Sequence, residues 1–424
     1  MKKLLIYCPS ITGHGQIYCN VLTEWALSRN YKVVLAFGGI AIPRQLKRKR
    51  RFYRLLLRIP TLKKILLELY PIKVIKYYLI RKNSVYLDYY KNNNNVELLN
   101  ILKEFNSLKN HNTEVRLITN LQKYHKPDTT ILAVCGEDYK NTFFIHTITN
   151  LFNKNKMFLS PTYLIDINTS FYYKNFLIRL IGFLKIWLIK SIDKFIIIDK
   201  YLYEKYPLKR IGYIPDIYQS YNVTDSENPD KELMLNFNKF LSNNKDKEKI
   251  LFFGYPFKRK GYHTLLKLVI SNDEYVFIHC GKFTMIQEDK KNEIDKLIRK
   301  LRNENRIYFV DRFLTNEDMI SKFFKSVNFI VLAYENHYQS SGILYQALMY
   351  GKPVIVPNIG FMGKLVKEEK LGLLYEHRSY KDLNKKVKNM QKKYTEFEPS
   401  ISKFCKHNSK EVLFRALDNN IKGS

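Results

Sequence analysis

Short apolar runs recur along the first half of the chain and alternate with segments of helical spacing. The runs cover residues 4–8, 31–37, 130–135 and 194–199. Runs of this length, rich in Ile, Val, Leu and Phe, predict buried β-strands. A loop over 9–15 and an amphipathic stretch over 17–28 follow the first run, so the order is strand, loop, helix, strand. This order predicts a parallel sheet covered by helices.

The same alternation restarts after residue 245. Predicted strands cover residues 249–254, 275–281, 306–310, 328–334 and 353–357, and predicted helices cover 261–270, 289–303, 316–326 and 342–350. Two such series in one chain predict an α/β protein with two Rossmann-like, doubly wound parallel-sheet domains.

The length of the chain, 424 residues, exceeds what one compact domain normally holds. Pro207, Pro215, Pro229 and the polar run at 224–232 mark a joint between the two series. We therefore predict four parts. They are a first domain over 1–200, a linker region over 201–246, a second domain over 247–395 and a C-terminal helix over 396–424.

The charge balance narrows the range of partners. The chain carries 72 Lys and Arg against 39 Asp and Glu, a net charge of +33. Such an excess calls for an anionic partner: nucleic acid, an anionic membrane face or a phosphorylated substrate. The five cysteines are widely spaced and form no C-x-x-C pair, which argues against a zinc site and a disulfide framework. No apolar stretch is long enough for a transmembrane helix.

One candidate phosphate site follows the predicted strand that ends near Tyr334. Ser340, Ser341 and Gly342 open the next predicted helix. The first N–H groups of a helix have no partner within it, and the helix dipole adds positive potential, so phosphate binds well there. An ordinary capped helix is the alternative interpretation.

A second candidate follows the predicted strand that ends at Gly254. Lys258, Arg259 and Lys260 precede Gly261, where a helix begins. Three cations at the carboxyl end of a strand are well placed to bind a diphosphate. A solvated charge run is the alternative, because lysines are frequent throughout this chain.

Together these two segments resemble the donor domain of GT-B glycosyltransferases, in particular the retaining family 4 (group 1) enzymes. The resemblance covers roughly residues 249–376 and rests on Gly254, Lys260-Gly261, the sequence HCGK at 279–282 and the sequence YQALMYGKPVIV at 345–356. It implies two domains that face each other across a cleft, with the C-terminal helix crossing back to the first domain. The resemblance also implies a nucleotide-sugar donor and no metal ion or other cofactor.

The resemblance implies roles for individual residues. Lys260 and Arg259 would stabilise the departing diphosphate, and Gly254, Ser340, Ser341 and Gly342 would bind it. Nucleotide or sugar contacts would come from Glu335, Tyr338, Gln339 and Gln346. The family usually carries glutamates at the positions of Tyr338 and Gln346. A catalytically silent homologue that serves as a binding or scaffold subunit is therefore the alternative function.

Residues 44–82 form a strongly basic segment. They include fourteen Lys and Arg against one acid, Glu68, and Leu and Ile interleave at helical spacing. A basic amphipathic segment is typical of binding to an anionic membrane surface. Nucleic-acid binding and a core-packing helix with a solvated basic face are the alternatives. The resemblance favours the membrane, and no nucleic acid is expected because its recognition motifs are missing.

Candidate residues for binding the acceptor lie in the first half of the chain. Gly13, His14 and Gly15 follow the first strand, and Glu137 and Asp138 follow the strand at 130–135. A carboxylate there would bind acceptor hydroxyls or act as a base, while a surface turn and a plain loop histidine are the alternatives. We predict a cytoplasmic enzyme, peripherally associated with the inner face of the membrane. It would move a sugar, with retention, from a nucleotide-sugar to a lipid-linked or cell-surface polysaccharide or lipopolysaccharide acceptor.

Overall fold

The computed structural model describes residues 1–8, 14–37, 90, 93–100, 114–134, 159–166, 192–205, 208–216, 231–283, 290–312, 314 and 317–421. The described residues group into two compact units. The first lies within Met1–Ile167, Phe183–Ile197 and Lys205–Gly212, and the second lies within Asn168–Gly182, Ile198–Glu204 and Tyr213–Ser424.

The sheet of the first unit has seven strands. They are β1 (Lys3–Cys8), β2 (Lys32–Phe37), β3 (Val96–Asn100), β4 (Thr129–Val134), β5 (Thr162–Asp166), β6 (Lys194–Ile197) and β7 (Ile211–Tyr213). Their order is β3-β2-β1-β4-β5-β6-β7, and the pairings that join β1 to β6 are parallel. The strand order reverses between β1 and β4, as it does in a doubly wound sheet.

Two described helices of the first unit pack on this sheet. Helix α1 (His14–Ser28) covers β1 and β2 and buries Trp25 completely. Helix α2 (Glu114–His125) carries Gln122, whose amide donates to the hydroxyls of Thr130 at 2.9 Å and Thr162 at 3.2 Å. The buried amide therefore has partners on both β4 and β5, so that its burial costs little.

The second unit contains six strands and ten helices among the described residues. The strands are β8 (Glu248–Phe253), β9 (Tyr275–Cys280), β10 (Ile307–Val310), β11 (Ile330–Val331), β12 (Val354–Pro357) and β13 (Gly372–Tyr375). The helices are α3 (Lys200–Lys205), α4 (Lys231–Asn243), α5 (Tyr262–Ile270), α6 (Lys291–Asn303), α7 (Glu317–Lys325), α8 (Gly342–Met349), α9 (Gly360–Glu368), α10 (Tyr380–Lys393), α11 (Glu398–His407) and α12 (Lys410–Ile421).

The strands of the second unit pair in two parallel groups, β10-β9-β8 and β11-β12-β13. Strand β11 lies beside β8, so the six strands run in the order β10-β9-β8-β11-β12-β13. The first three strands therefore lie on one side of the β8–β11 boundary and the last three on the other, so the strand order reverses there. In doubly wound sheets ligands bind at such a reversal, beyond the carboxyl ends of the strands.

Helices cover both faces of this second sheet. One apolar cluster joins Phe237 of α4, Phe323 of α7 and Leu344 of α8. The other joins Leu265 of α5, Ile298 of α6 and Val387 of α10. Each fully buried Phe, Leu or Val contributes about 1.5–3 kcal/mol, so both layers are needed for stability. The predicted α/β class with two Rossmann-like parallel-sheet domains is confirmed.

Some elements differ from those predicted. The strand expected over 328–334 is limited to Ile330–Val331, because the N–H of Tyr334 bonds the carbonyl of Leu332 at 2.7 Å and the backbone turns there. The sequence did not predict four of the strands, which are β3, β5, β7 and β13. Helix α3 and β7 lie in the stretch assigned to the linker region. The domain boundaries, the cleft and the crossing of the C-terminal helix stay predictions.

Candidate functional site

The candidate site of the second unit is built by the two loops that follow β8 and β11. These neighbouring strands flank the reversal of strand order, so the loops beyond their carboxyl ends lie together. Lys260 from the first loop, Tyr334 from the second and Ile343 from the first turn of α8 line the same cavity. Two segments that lie far apart in sequence thus contribute residues to one cavity.

The first loop is shaped by Gly254 and a single 3₁₀ turn. Gly254 has φ +99°, and its N–H donates to the carbonyl of Cys280 at 2.7 Å. A Cβ at this position would lie 2.6 Å from Nζ of Lys260. The turn Lys258–Lys260 then brings the lysine back over the end of β8, where its ammonium donates to the carbonyl of Phe253 at 3.3 Å. A side chain at this position would displace the ammonium group, and the positive φ itself favours glycine.

The ammonium group of Lys260 is the principal charge of the site. Among the described residues, no carboxylate pairs with it. Burial, followed by the neighbouring charge of Arg259, lowers the pKa of Lys260 to about 7. A desolvated cation without a counterion is costly, and an anion bound next to it would raise the pKa again. The site is thus electrostatically suited to an anionic ligand.

Gly261 allows the backbones of the two loops to pack closely against each other. It has φ +64°, and a Cβ there would lie 1.8 Å from the carbonyl oxygen of Ala333, just beyond β11. Next to this contact, the N–H of Glu335 donates to the carbonyl of Arg259 at 2.8 Å. The close backbone approach holds both loops in fixed relative positions.

Helix α8 begins at Gly342, as predicted, with Ser341 as its N-cap. The Ser341 side chain does not cap the helix; its hydroxyl instead forms a 3.0 Å hydrogen bond with the hydroxyl of Tyr334. Without a capping side chain, the first N–H groups of α8 keep the positive partial charge of a helix N-terminus. Ile343, in the first turn of this helix, lines the same cavity as Lys260.

Ser340 is held by a side-chain hydrogen bond to a buried carboxylate, and Tyr338 is held by backbone contacts. The Ser340 hydroxyl donates to Oδ2 of Asp216 at 2.7 Å, and Asp216 is almost fully buried. Gly360 has φ +64°, and a Cβ there would lie 2.5 Å from Cα of Tyr338. The Tyr338 carbonyl accepts from the N–H of Phe361 at 3.0 Å. The loop before α8 is therefore attached to the segment after β12 as well.

Arg259 contacts a histidine of the other loop. Its guanidinium donates to Nδ1 of His337 at 3.2 Å, and Nε2 of His337 donates to the carbonyl of Ser340 at 3.0 Å. The His337 ring is buried and meets Tyr334 edge-on, with 5.1 Å between ring centroids. These contacts form a second connection between the loops, through side chains.

The remaining predicted donor residues differ in exposure. Gln346 is almost fully buried on α8, whereas Glu335 and Gln339 are half-buried in the loop before the helix. His14 and Gly15 are the first two residues of α1. Gly13, Glu137, Asp138 and the basic segment 44–82 lie outside the described residues. Their predicted roles, and those of all the site residues, stay predictions.

Sequence reasoning missed Asp216, and it missed the contact that His337 makes. Asp216 follows a proline in a stretch taken as linker, and no local pattern links it to Ser340, which lies 124 positions later. His337 is recognisable as a neighbour of the donor motif, but its contact with Arg259 depends on the packing of two distant loops.

Two absences concern the described part of the chain. It contains no group of three or more His, Cys, Asp or Glu side chains placed to hold a metal ion. Nor does any described helix combine the length and apolar character needed to cross a membrane.

Residues 235–404 match the sequence family described as "Glycosyl transferases group 1". The match extends from α4 into α11 and contains both loops of the candidate site. The resemblance to group 1 glycosyltransferases is thus confirmed over this range. The sequence matches no curated protein significantly.

Several solved structures are similar to the chain over almost its whole length. A glycosyltransferase from Rickettsia africae ESF-5 has a TM-score of 0.62 at 11% identity, with 100% of this chain and 99% of that chain covered. Anabaena Alr3699/HepE in complex with UDP has a TM-score of 0.56 at 12% identity, with 100% of both chains covered.

The lipopolysaccharide outer core galactosyltransferase WaaB, in its apo form, has a TM-score of 0.57 at 12% identity. The similarity covers 100% of this chain and 99% of that chain. At such identities the likeness concerns the fold, which is that of two Rossmann-like domains. The chain thus has the GT-B fold of these structures, and the family match leads to one conclusion: residues 235–404 form a group 1 glycosyltransferase domain.

Proposed function

We propose that the second unit binds the diphosphate of a nucleotide-sugar between Lys260 and the N-terminus of α8. One observation carries this proposal. A desolvated ammonium group, which no carboxylate of the described residues pairs with, lines the same cavity as Ile343 in the first turn of an uncapped helix, at the reversal of strand order. The complex of Alr3699/HepE with UDP, a protein of the same fold, supports a nucleoside diphosphate as the ligand.

The proposed chemistry follows from the charge that develops during transfer. When the bond between the sugar and the diphosphate breaks, negative charge builds up on the leaving diphosphate. Lys260, Arg259 and the first N–H groups of α8 would stabilise that charge in place, without reorganisation of solvent. Two cations and a helix end would supply the positive charge that a metal ion provides elsewhere, so we propose metal-independent transfer. Retention of the anomeric configuration is proposed from the family resemblance.

The proposed acceptor is a lipid-linked or cell-surface polysaccharide or lipopolysaccharide. The fold is shared with WaaB, a lipopolysaccharide outer core galactosyltransferase, and with WaaG, a glycosyltransferase involved in lipopolysaccharide biosynthesis. We place the protein on the cytoplasmic face of an anionic membrane, through residues 44–82. Gly13, His14, Gly15, Glu137 and Asp138 remain the proposed acceptor contacts.

Substitution of Arg48, Lys49, Arg50 and Arg51 by Gln is expected to weaken binding to anionic vesicles. Each basic residue near an anionic leaflet contributes about 1 kcal/mol, and this contribution falls with rising salt. Nucleotide-sugar binding should be unchanged, since the donor site is built from other residues. Vesicle co-sedimentation and calorimetry of donor binding measure the two effects.

A matched control removes the same number of charges elsewhere. Lys381, Lys385, Lys388 and Lys392 are exposed on one face of α10. Their replacement by Gln should leave vesicle binding nearly intact. Equal losses in the two quadruple variants would show that net charge alone is responsible. Tighter binding to oligonucleotides than to vesicles at physiological salt would point to nucleic acid instead.

Nucleotide-sugar affinity is expected to fall as the pH rises above about 7. The pKa of Lys260 is about 7 without ligand, and a bound diphosphate raises it, so binding above pH 7 takes up a proton. The affinity should then fall by up to about tenfold per pH unit until the pKa of the bound state is reached. Calorimetric titrations between pH 6 and 9 would measure this slope.

The variant Lys260→Arg is the control for this pH dependence. A guanidinium stays charged throughout the range, so the slope should disappear even if the affinity changes. An intact nucleotide-sugar is the required ligand, because the terminal phosphate of a free nucleoside diphosphate itself titrates near pH 6. A slope that persists in Lys260→Arg would assign the titration to another group.

The alternative function is a catalytically silent homologue that binds glycans or scaffolds their assembly, motivated by Tyr338 and Gln346 in place of the usual glutamates. A thermal-shift screen of the full chain against UDP-, GDP-, ADP- and TDP-sugars, followed by assay of sugar release, separates the two. If sugars of one nucleotide class raise the melting temperature and sugar is released, the result supports the glycosyltransferase function. Stabilisation without turnover on any glycan acceptor supports the silent homologue, and no stabilisation by any of them contradicts the proposed donor site.

A further inference from the structure

We propose that His337 is a positioning residue, which holds the guanidinium of Arg259 toward the diphosphate of the donor. This inference rests on the proposed function, because it takes Arg259 as a diphosphate contact. It adds a residue, His337, that no motif assigns, and it explains why a neutral side chain occupies that position.

The two hydrogen bonds of His337 determine the form of its ring. Arg259 has only N–H donors, so Nδ1 of the imidazole must accept in the 3.2 Å contact with the guanidinium. The carbonyl of Ser340 can only accept, so Nε2 must carry the proton in the 3.0 Å contact. Both bonds are made together only by the neutral imidazole protonated at Nε2.

Both partners of this imidazole are themselves fixed. The hydroxyl of Ser340 donates to buried Asp216 at 2.7 Å, which anchors the residue whose carbonyl receives the Nε2 proton. The carbonyl of Arg259 accepts from the N–H of Glu335 at 2.8 Å, so the arginine backbone is attached to the same loop. The guanidinium is held as well, by the 3.2 Å contact with Nδ1 of His337, which limits its conformations.

A neutral acceptor has an advantage over a carboxylate at this position. The charges of Arg259 and Lys260 repel each other, and the arginine lowers the pKa of the lysine. A carboxylate in place of His337 would hold the guanidinium but would also cancel its charge. Imidazole holds the guanidinium without placing a negative charge beside it. The arrangement thus orients two like charges toward one diphosphate before the ligand arrives.

The test is a double-mutant cycle on nucleotide-sugar affinity in the full chain. We expect His337→Phe, which keeps an aromatic ring beside Tyr334, to weaken binding by about tenfold. Arg259→Ala should weaken it at least as much. The double variant should be no weaker than Arg259→Ala alone, because His337 acts only through the arginine.

Two further substitutions at position 337 separate positioning from packing. His337→Gln offers a carbonyl and an amide group, so it should stay within about threefold of the wild type. His337→Glu should keep the guanidinium in place but weaken binding by about tenfold, since it neutralises the charge. These two variants also test the proposal if the phenylalanine variant fails to fold.

His263→Phe is the matched control. His263 is also buried, and its Nδ1 lies 3.2 Å from the ammonium of Lys290 while Nε2 lies 2.9 Å from Glu293, so its contacts are with the segment of α6. The change of residue is the same, but donor affinity should stay at the wild-type value.

Additive losses in the double variant, or wild-type affinity in His337→Phe or His337→Glu, would overturn the role of His337. Wild-type affinity in Arg259→Ala together with a loss in Lys260→Ala would also overturn it, while leaving the donor site in place. Wild-type affinity in Lys260→Ala would instead contradict the proposed function itself.

Discussion

Replacement of Lys260 by alanine is expected to weaken nucleotide-sugar binding by about 10- to 150-fold. The change removes a charge-assisted contact to the diphosphate, which contributes about 1.5–3 kcal/mol. The fold should survive, because the ammonium bonds only the carbonyl of Phe253 among the described residues, and its removal relieves a desolvated charge. Isothermal titration with the best nucleotide-sugar of the screen measures the affinity, and circular dichroism measures the fold.

The control for this variant is Lys385→Ala, the same truncation on the exposed face of α10. It should bind the donor like the wild type. If Lys260→Ala and Lys385→Ala bind equally well, the ammonium group of Lys260 does not contact the ligand.

Replacement of Gly261 by alanine is expected to destabilise the second unit by more than about 3 kcal/mol. Two costs add up at this position. An alanine at φ +64° costs about 1–2 kcal/mol, and its Cβ would lie 1.8 Å from the backbone oxygen of Ala333. The clash is with backbone of the neighbouring loop, so both loops of the candidate site must move apart. The urea midpoint of the full chain, followed by circular dichroism, measures the loss.

Gly351→Ala provides a control with nearly the same backbone conformation. Gly351 has φ +70°, but a Cβ there would meet no atom within 4 Å. Gly351→Ala should therefore lower the free energy of unfolding only by the cost of the positive φ, about 1–2 kcal/mol. The difference between the two variants therefore measures the clash alone. Equal midpoints would mean that the loops after β8 and β11 can separate at little cost.

The elements of the second unit were predictable where the sequence signal is local. The strand at 249–254 and the helix after Gly261 follow from an apolar run and a glycine, and the structure has them at Glu248–Phe253 and Tyr262–Ile270. The strand predicted at 328–334 was too long, because apolar residues continue to Tyr334 after the backbone has turned at Leu332. Hydrophobicity indicates burial there but not pairing.

In the candidate site, too, the features that depend on local sequence were predictable and those that depend on distant contacts were not. Gly254, Lys260 and Gly261 are close in sequence, and one strand-loop-helix pattern places them together. The contacts of Ser340 with Asp216 and of His337 with Arg259 span 124 and 78 positions. They depend on which strands become neighbours, and a single sequence does not contain that information. The lowered pKa of Lys260 has the same origin, since it results from burial by residues of both loops.

A crystal structure of the full chain with a bound nucleotide-sugar tests the central claim most directly. We predict that diphosphate oxygens lie within about 2.7–3.2 Å of Nζ of Lys260 and of the backbone N–H of Gly342, beyond the carboxyl ends of β8 and β11. A nucleotide bound at another place, with Lys260 still bonded to the carbonyl of Phe253, would contradict it.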